Sequence, residues 1–297
     1  MKVLSLFDGI SCGMVALERA GIPVERYVAY EIEANAIKVS KHNYPMIEQK
    51  GDVFNAEYTT GEFDLLIGGS PCTYWSIAKA GNSEARETTS SGLGWELFSE
   101  YVRALREVKP SYFLYENNES MSEDIKNEIT KTLGVEPVLI DSQDFTAQIR
   151  KRYYWTNIPV SSWAKKDLRI KDIVYDDTYK VSNFGKYEQT KIISKDGLMV
   201  KWDSSGKGYY SQQNRARSKS LKMNTVTARG VDKCNIWLGG NNFRKIHPVE
   251  AERLQSLPDN YTNVLSDGQR IACIGNGWTV DVIAHILSGI PKLIEGE

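Results

Sequence analysis

Cysteine and histidine are scarce, with four of one and three of the other among 297 residues. The cysteines, Cys12, Cys72, Cys234 and Cys273, make no C-x-x-C pair and no zinc-ligand spacing with the histidines, which argues against a disulfide framework and against a structural metal. No apolar run approaches the roughly 18–20 residues that a membrane span needs. The apolar start, Met1 to Phe7, falls short of the roughly 7–15-residue stretch and small-residue cleavage site of a signal peptide, so a cytoplasmic chain without membrane contact is expected. Internal repeats and low-complexity tracts are missing too.

Net charge is also small, −1 overall, which taken whole argues against a polyanionic partner. The average hides a division. From Trp163 to Phe243 there are 16 Lys and Arg against 8 Asp and Glu, an excess of positive charge that the rest of the chain cancels. Such a bias is either a solvated basic face or a phosphate-binding footprint. The chain is long enough for one sizeable α/β core with an appended lobe.

What is present begins with alternation. Lys2–Leu6, Arg26–Glu31, Leu65–Gly69, Tyr112–Glu116 and Val135–Asp141 read as strands. Gly13–Ala20, Ala34–Asn43, Trp95–Val108 and Ser122–Leu133 have helical spacing of apolar residues, the third stopped by Pro110. This order predicts a doubly wound, mostly parallel α/β sheet of the Rossmann-like kind. Gly81–Gly94 reads as a long mobile loop. Beyond Trp163 short β-prone pieces separated by turn residues suggest a small, irregular lobe, and helical order returns at Pro248–Leu257 and Val280–Leu287. The expected division is 1–162 and 244–297 for the catalytic domain and 163–243 for the lobe.

Chemistry-bearing residues gather where these strands end. Phe7-Asp8-Gly9-Ile10 forms a glycine turn between strand and helix, a place where a nucleotide-like ligand can approach the backbone. Glu31 ends the second strand about 20 residues later, where an acid commonly takes ribose hydroxyls. Asp52 would end the third at the same edge. Each acid taken alone is also an ordinary strand-end residue. Together, without a further glycine or basic cradle for phosphates, they favour an adenosine-containing cofactor such as S-adenosylmethionine over a dinucleotide. The fourth strand delivers Ser70-Pro71-Cys72, a cysteine positioned by proline at a strand-to-loop turn, where neighbouring cations or amides can favour the nucleophilic thiolate. The other three cysteines read as small buried apolar residues. Glu116-Asn117-Asn118 ends the fifth strand with a carboxylate at the same edge. Alternation in a strand would place Gln148, Arg150 and Arg152 on one face.

In this order the pieces resemble the DNA cytosine-C5 methyltransferase family over nearly the whole chain outside the basic lobe. Ser-Leu-Phe-Asp-Gly-Ile is similar to its first cofactor motif, Gly-Gly-Ser-Pro-Cys to its nucleophile motif, Glu116-Asn117 to Glu-Asn-Val, and Gln148, Arg150 and Arg152 to Gln-x-Arg-x-Arg. Arg244 to Asp259 resembles the long helix motif, and Gly275-Asn276-Gly277-Trp278-Thr279-Val280 the closing motif. The N-terminal half is similar in particular to the de novo branch, and the short lobe to compact phage and bacterial members. Asn118 stands where the family has valine, and Thr73 where many bacterial members have glutamine.

The resemblance implies a methyl transfer from S-adenosylmethionine to carbon 5 of a flipped-out cytosine in double-stranded DNA. Cys72 would add at carbon 6 and Glu116 would serve ring nitrogen 3. Arg150 would hold the base carbonyl, and Asn117 and Arg152 would orient the pocket. Phe7, Asp8, Gly9, Ile10, Glu31, Ile32, Asp52, Val53, Pro71, Leu97, Asn276 and Trp278 would line the cofactor site. The basic lobe becomes a target-recognition region, with Arg215, Arg217, Lys219 and Lys222 as DNA contacts and Thr225-Val226-Thr227 as the strand leading back. The alternatives are a tRNA cytosine methyltransferase, a catalytically silent DNA-binding scaffold and, last, an enzyme for a small molecule. A monomer is expected.

Overall fold

The computed structural model describes residues 1–76, 87–183, 191–193, 198–200, 215–228, 234–240 and 242–291. These form two compact units, one of Met1–Asp141, Lys151–Ser162 and Val282–Glu297, the other of Ser142–Arg150 and Trp163–Asp281. The division differs from the expected one at two places: residues 142–150 join the second unit, and so do residues 244–281.

The first unit is built on a seven-stranded sheet. Its members are β1 (Lys2–Leu6), β2 (Arg26–Tyr30), β3 (Glu48–Gln49), β4 (Leu65–Gly68), β5 (Tyr112–Asn118), β6 (Val138–Asp141) and β7 (Lys151–Thr156), in the order β3-β2-β1-β4-β5-β7-β6. From β3 to β5 every pairing is parallel. Only β7 runs against both its neighbours. Parallel strands covered on both faces need apolar side chains on both, which is why β1, β2 and β4 are short apolar runs without polar alternation.

Helices α1 (Cys12–Ala20), α2 (Ala34–Asn43), α3 (Leu93–Val108) and α4 (Glu123–Leu133) lie between the strands as the crossovers of this sheet. Their ends have local causes. Ser122 accepts the Ile125 N–H as N-cap of α4, with Glu123 and Asp124 in its first turn, and Gly134 closes it at φ 71°. Lys109 ends α3 in a left-handed conformation just before Pro110. The expected loop at 81–94 falls partly outside the described residues; Leu93 and Gly94, placed in it by their composition, already belong to α3. Phe98, Tyr101 and Trp155 each pack at a tilt against Tyr115, at centroid separations of 4.8–5.8 Å, and belong to the same core cluster.

The second unit holds a six-stranded sheet where the sequence suggests an irregular lobe. It contains β8 (Val181–Asn183), β9 (Lys191–Ile193), β10 (Leu198–Val200), β11 (Arg215–Arg217), β12 (Asn235–Gly239) and β13 (Asn242–Lys245), ordered β8-β13-β12-β11-β10-β9. Thr225-Val226-Thr227 is not one of its strands. Helices α5 (Pro248–Leu254) and α6 (Asp267–Asn276) pack together in this unit, and α7 (Val280–Leu287), which follows them in the chain, belongs from Val282 onward to the first unit. No helix among the described residues is long and apolar enough to cross a membrane.

Candidate active site

In the first unit the C-terminal ends of β1, β2 and β3 carry the glycine turn and the two acids. Phe7, Gly9 and Ser11 all take positive φ, 58°, 60° and 59°. Positive φ is strained for Phe7 and Ser11 and free for glycine, and such strain persists where surrounding contacts impose it. Gly9 N–H donates to Glu31 Oε2 at 2.8 Å, while Ile32 and Glu33 N–H both donate to Glu31 Oε1 at 2.8 Å. A carboxylate offers about four acceptor positions, so one remains for a ligand hydroxyl. A Cβ placed on Gly9 would meet nothing within 4 Å, so the turn opens onto free space.

Asp8 does a different job from the expected lining role. Its carboxylate accepts Ser5 Oγ at 2.6 Å, Tyr27 OH at 2.7 Å and Ser11 Oγ at 2.5 Å, so it braces the turn from inside. Burial pushes its carboxyl up to about 6, against the lowering effect of those hydroxyls. Ile10 and Val53 are buried, so their side chains serve the core and only their backbone can face a ligand. Ile32 is 72% exposed and Phe54 48%; these two flank Glu31 and Asp52 in sequence and offer apolar surface. Phe54 was not foreseen, although an apolar residue two positions beyond a strand-end acid is a readable signal. Asp52 spends Oδ1 on the Phe54 N–H. Behind it, Arg103 donates to the carbonyls of Val53 and Ala56, both at 3.1 Å, and holds the turn from α3. Leu97 is half-buried on the same helix.

The ends of β4 and β5 form the second part. Cys72 opens a single 3-10 turn, Cys72–Tyr74, after Pro71. It is half-buried, whereas Cys12, Cys234 and Cys273 are buried. Asn117 Nδ2 donates to the Ser70 carbonyl at 3.2 Å, and Ser70 Oγ pairs with Tyr115 OH at 2.6 Å. Asn118 Nδ2 reaches the Cys72 carbonyl at 3.5 Å, so the residue that departs from the family's valine touches the cysteine's own backbone. Glu116 is buried and its Oε1 lies 2.9 Å from Arg152 Nε, with both side chains less than one-sixth exposed. A buried carboxylate paired with a guanidinium is held in one orientation.

Gln148, Arg150, Asn276 and Trp278 belong to the second unit. The expected common face of Gln148, Arg150 and Arg152 is therefore not a single strand: β7 starts at Lys151, after the first two. Arg150 is buried, and its guanidinium donates to the carbonyls of Val226 at 3.0 Å, Gly275 at 3.3 Å and Gly277 at 3.0 Å. Gln148 accepts the Val226 N–H at 2.7 Å and donates to Gln255 Oε1, which also accepts Thr279 Oγ1. This network fixes the Gly275–Thr279 segment while leaving Asn276 exposed and Trp278 half-buried.

Three of the described cations proposed as DNA contacts have partners within the unit. Lys222 Nζ donates to the carbonyls of Gln143, Thr146 and Lys166 at 2.6, 3.0 and 3.2 Å. Lys219 is paired with Asp177 at 2.5 Å. Arg217 donates to the Lys222 carbonyl. These groups hold the unit together, which corrects the expectation that the ammonium of Lys222 is presented to DNA. Arg215 lies in β11, and its side chain is outside the described residues. Arg244 and Glu250, both fully buried, form a bidentate pair at 2.8 Å, and Glu250 also accepts the N–H groups of Tyr175 and His247.

A model of the family described as C-5 cytosine-specific DNA methylase matches residues 1–292 of this chain. The Type II methyltransferase M1.ScrFI of Lactococcus lactis subsp. cremoris is 28% identical to it, the match covering 99% of this chain and 79% of the relative. M.NgoPII of Neisseria gonorrhoeae, also a Type II methyltransferase, is 24% identical over 99% and 96% of the two chains. Among solved structures, the methyltransferase EhMeth of Entamoeba histolytica superposes with a TM-score of 0.68 at 15% identity, and the Dnmt2 methyltransferase of S. pombe with 0.66 at 15%, each covering 97% of both chains. At that identity the two structures share the fold.

Proposed function

Since the chain belongs to the C-5 cytosine-specific DNA methylase family, and is a DNA cytosine-5 methyltransferase, we propose that Cys72 is its nucleophile and Glu116 its acid, with Arg152 as the partner that orders Glu116. The observation that carries this reading is the Glu116–Arg152 pair, 2.9 Å apart, at the end of the strand next to the one that delivers Cys72. Asn117 and Asn118 supply hydrogen bonds from the acid's strand to the Ser70–Cys72 turn.

S-adenosylmethionine fits the first three strand ends: one acid with a free acceptor position, a second with one oxygen engaged, an open glycine and two exposed apolar side chains suit a nucleoside without phosphates. Glu31 would hold the ribose, Asp52 the adenine amine, and Ile32 with Phe54 the ring faces. When bound, the cofactor supplies an electrophilic methyl on a sulfonium, which carbon 5 can accept once it is electron-rich. Carbon 5 of cytosine is a poor nucleophile, so the chain must activate the ring. Cys72 thiolate forms a bond to carbon 6, and the ring electrons move toward nitrogen 3 as Glu116 gives up a proton there. After transfer, loss of the carbon 5 proton re-forms the double bond and breaks the bond to Cys72. Arg150, expected at the base carbonyl, spends its guanidinium on the carbonyls of Val226, Gly275 and Gly277, so Arg152, beside Glu116, is the cation that would meet the base carbonyl where negative charge builds. The target must leave the stack, at a cost of a few kcal/mol. The sheet of the second unit would then read DNA, with contacts drawn from cations other than Lys222.

Labelled S-adenosylmethionine offered with duplex DNA, poly(dI·dC) and tRNA tests the reading. Label at cytosine carbon 5 of DNA, lost in Cys72→Ala, is expected. Label on tRNA alone would transfer the assignment to RNA, and cofactor binding without transfer would leave a silent scaffold.

A further inference from the structure

One carboxylate, that of Glu87, joins the turn of Cys72 to the start of α3. The Cys72 turn is closed by Trp75 and Ser76 N–H groups donating to the Cys72 carbonyl at 3.2 and 3.0 Å. Trp75 is fully buried in the sheet's core, and its indole N–H donates to Glu87 Oε2 at 3.2 Å. Glu87 returns a bond of its own: its backbone N–H donates to the Tyr74 carbonyl at 2.9 Å. The same carboxylate accepts the Gly94 N–H, at 3.1 Å to Oε2 and 3.2 Å to Oε1.

Gly94 lies in the first turn of α3, whose N-cap, Gly92, has no side chain to offer. Helix starts leave N–H groups unsatisfied and favour negative charge. Glu87 therefore acts as a cap delivered from outside the helix, while its other contacts hold the turn of the nucleophile. The fit is close: a Cβ on Gly94 would stand 2.6 Å from Glu87, 2.7 Å from Trp75 Nε1 and 2.8 Å from Tyr74 Cβ. Next to it, Thr88 accepts a bond from Ser122 Oγ, the cap of α4, at 2.8 Å.

We propose that Glu87 is a positioning residue for the reaction, fixing Trp75 and the start of α3 to each other so that the turn presenting Cys72 is held in register with β5. The inference rests on Cys72 being the nucleophile. A positioning role and a merely structural one separate in kinetics. Displacing a reacting group by about 1 Å costs on the order of 100-fold in rate, whereas the bonds of Glu87 among the described residues go to Tyr74, Trp75 and Gly94 and not to the cofactor's strand ends. Glutamine keeps one oxygen where Oε2 receives both donors; alanine keeps none.

The test measures single-turnover formation of the covalent adduct on duplex DNA copied with 5-fluorodeoxycytidine triphosphate, which traps attack at any recognised site. Cofactor affinity and melting temperature are measured alongside for the wild type, Glu87→Ala and Glu87→Gln. The expected result is a loss of roughly 10- to 100-fold in adduct rate for Glu87→Ala, with cofactor Kd within about twofold and Glu87→Gln close to the wild type. An unchanged rate in Glu87→Ala overturns the inference. So does a fall in rate, affinity and melting temperature together that glutamine does not restore, because that pattern is damage to the fold. Absence of any adduct in the wild type would sink the Cys72 reading itself.

Discussion

Replacing Gly275 by alanine adds one methyl group to α6 at a point where two main chains meet. The new Cβ would stand 2.3 Å from the Thr227 carbonyl carbon, 2.5 Å from the Ala228 nitrogen and 2.7 Å from the Thr227 oxygen. All three are backbone atoms, so no side chain can swing aside. Helix propensity favours the change by about 0.8–1.0 kcal/mol. Against it stands an overpacking cost of about 1–3 kcal/mol. The retreat of residues 227–228 would also strain the bonds that Val226 makes with Arg150 and Gln148, each worth about 0.5–1.5 kcal/mol. The sum is a destabilisation of roughly 1–5 kcal/mol. The same helix supplies the control. Gly268 is exposed and a Cβ there meets nothing within 4 Å, so Gly268→Ala should be neutral or stabilising by up to about 1 kcal/mol. Urea melts of both variants, with hydrogen exchange on α6, read the difference. A Gly275→Ala chain as stable as the wild type would refute the packing argument.

Three further perturbations follow from named contacts. Arg244→Met strands the buried Glu250 and should cost about 3–5 kcal/mol in chemical denaturation, while Arg244→Met with Glu250→Gln should recover part of it, since glutamine removes the unpaired charge and its one oxygen still accepts from either Tyr175 or His247, which bond to different oxygens of Glu250; a double variant no better than the single would contradict this. Lys222→Met should lower stability by roughly 2–4 kcal/mol through its three carbonyl partners. It should leave the salt dependence of DNA binding unchanged, where losing a phosphate contact would reduce the log–log slope by about 0.9. Asp8 titrates near 6 in the folded chain against 3.8 ordinarily, so the folded state holds its proton more tightly. The stability this gives is complete below about pH 3.8 and is lost as pH rises to about 6. Relative to the wild type, Asp8→Asn should therefore gain up to about 3 kcal/mol between pH 4 and pH 7, by thermal melting; a pH-independent difference would show that burial does not govern this carboxyl.

The order of strands and helices in the first unit was legible because each buried strand is a run of apolar residues on both faces, and each helix carries one apolar stripe. Ala34–Asn43 and Lys2–Leu6 fall at the expected bounds. Glu48–Gln49 was not readable as a strand from apolar pattern, being two polar residues at the sheet's edge. β7 was hidden by its charged start, Lys151-Arg152, and by its antiparallel direction, which no crossover helix announces. α6 contains Gly268 and Gly275, which weaken its helical pattern; its readable signal was the capping box of Ser266 with Gln269. In the site, residue spacing located Gly9 and Glu31, and the structure brings them to 2.8 Å. It could not separate a residue that offers a side chain, such as Ile32, from one that offers only backbone, such as Ile10. Counting lysines could not show that the Lys222 ammonium is already bound by three carbonyls.

Mass spectrometry of the adduct trapped on duplex DNA containing 5-fluorocytosine, after digestion of the protein, identifies the residue that attacks the base. A single modified peptide is expected, the one carrying Cys72, and none carrying Cys12, Cys234 or Cys273. Methyl transfer to DNA that proceeds without a Cys72 adduct, or with the adduct on another residue, would contradict it.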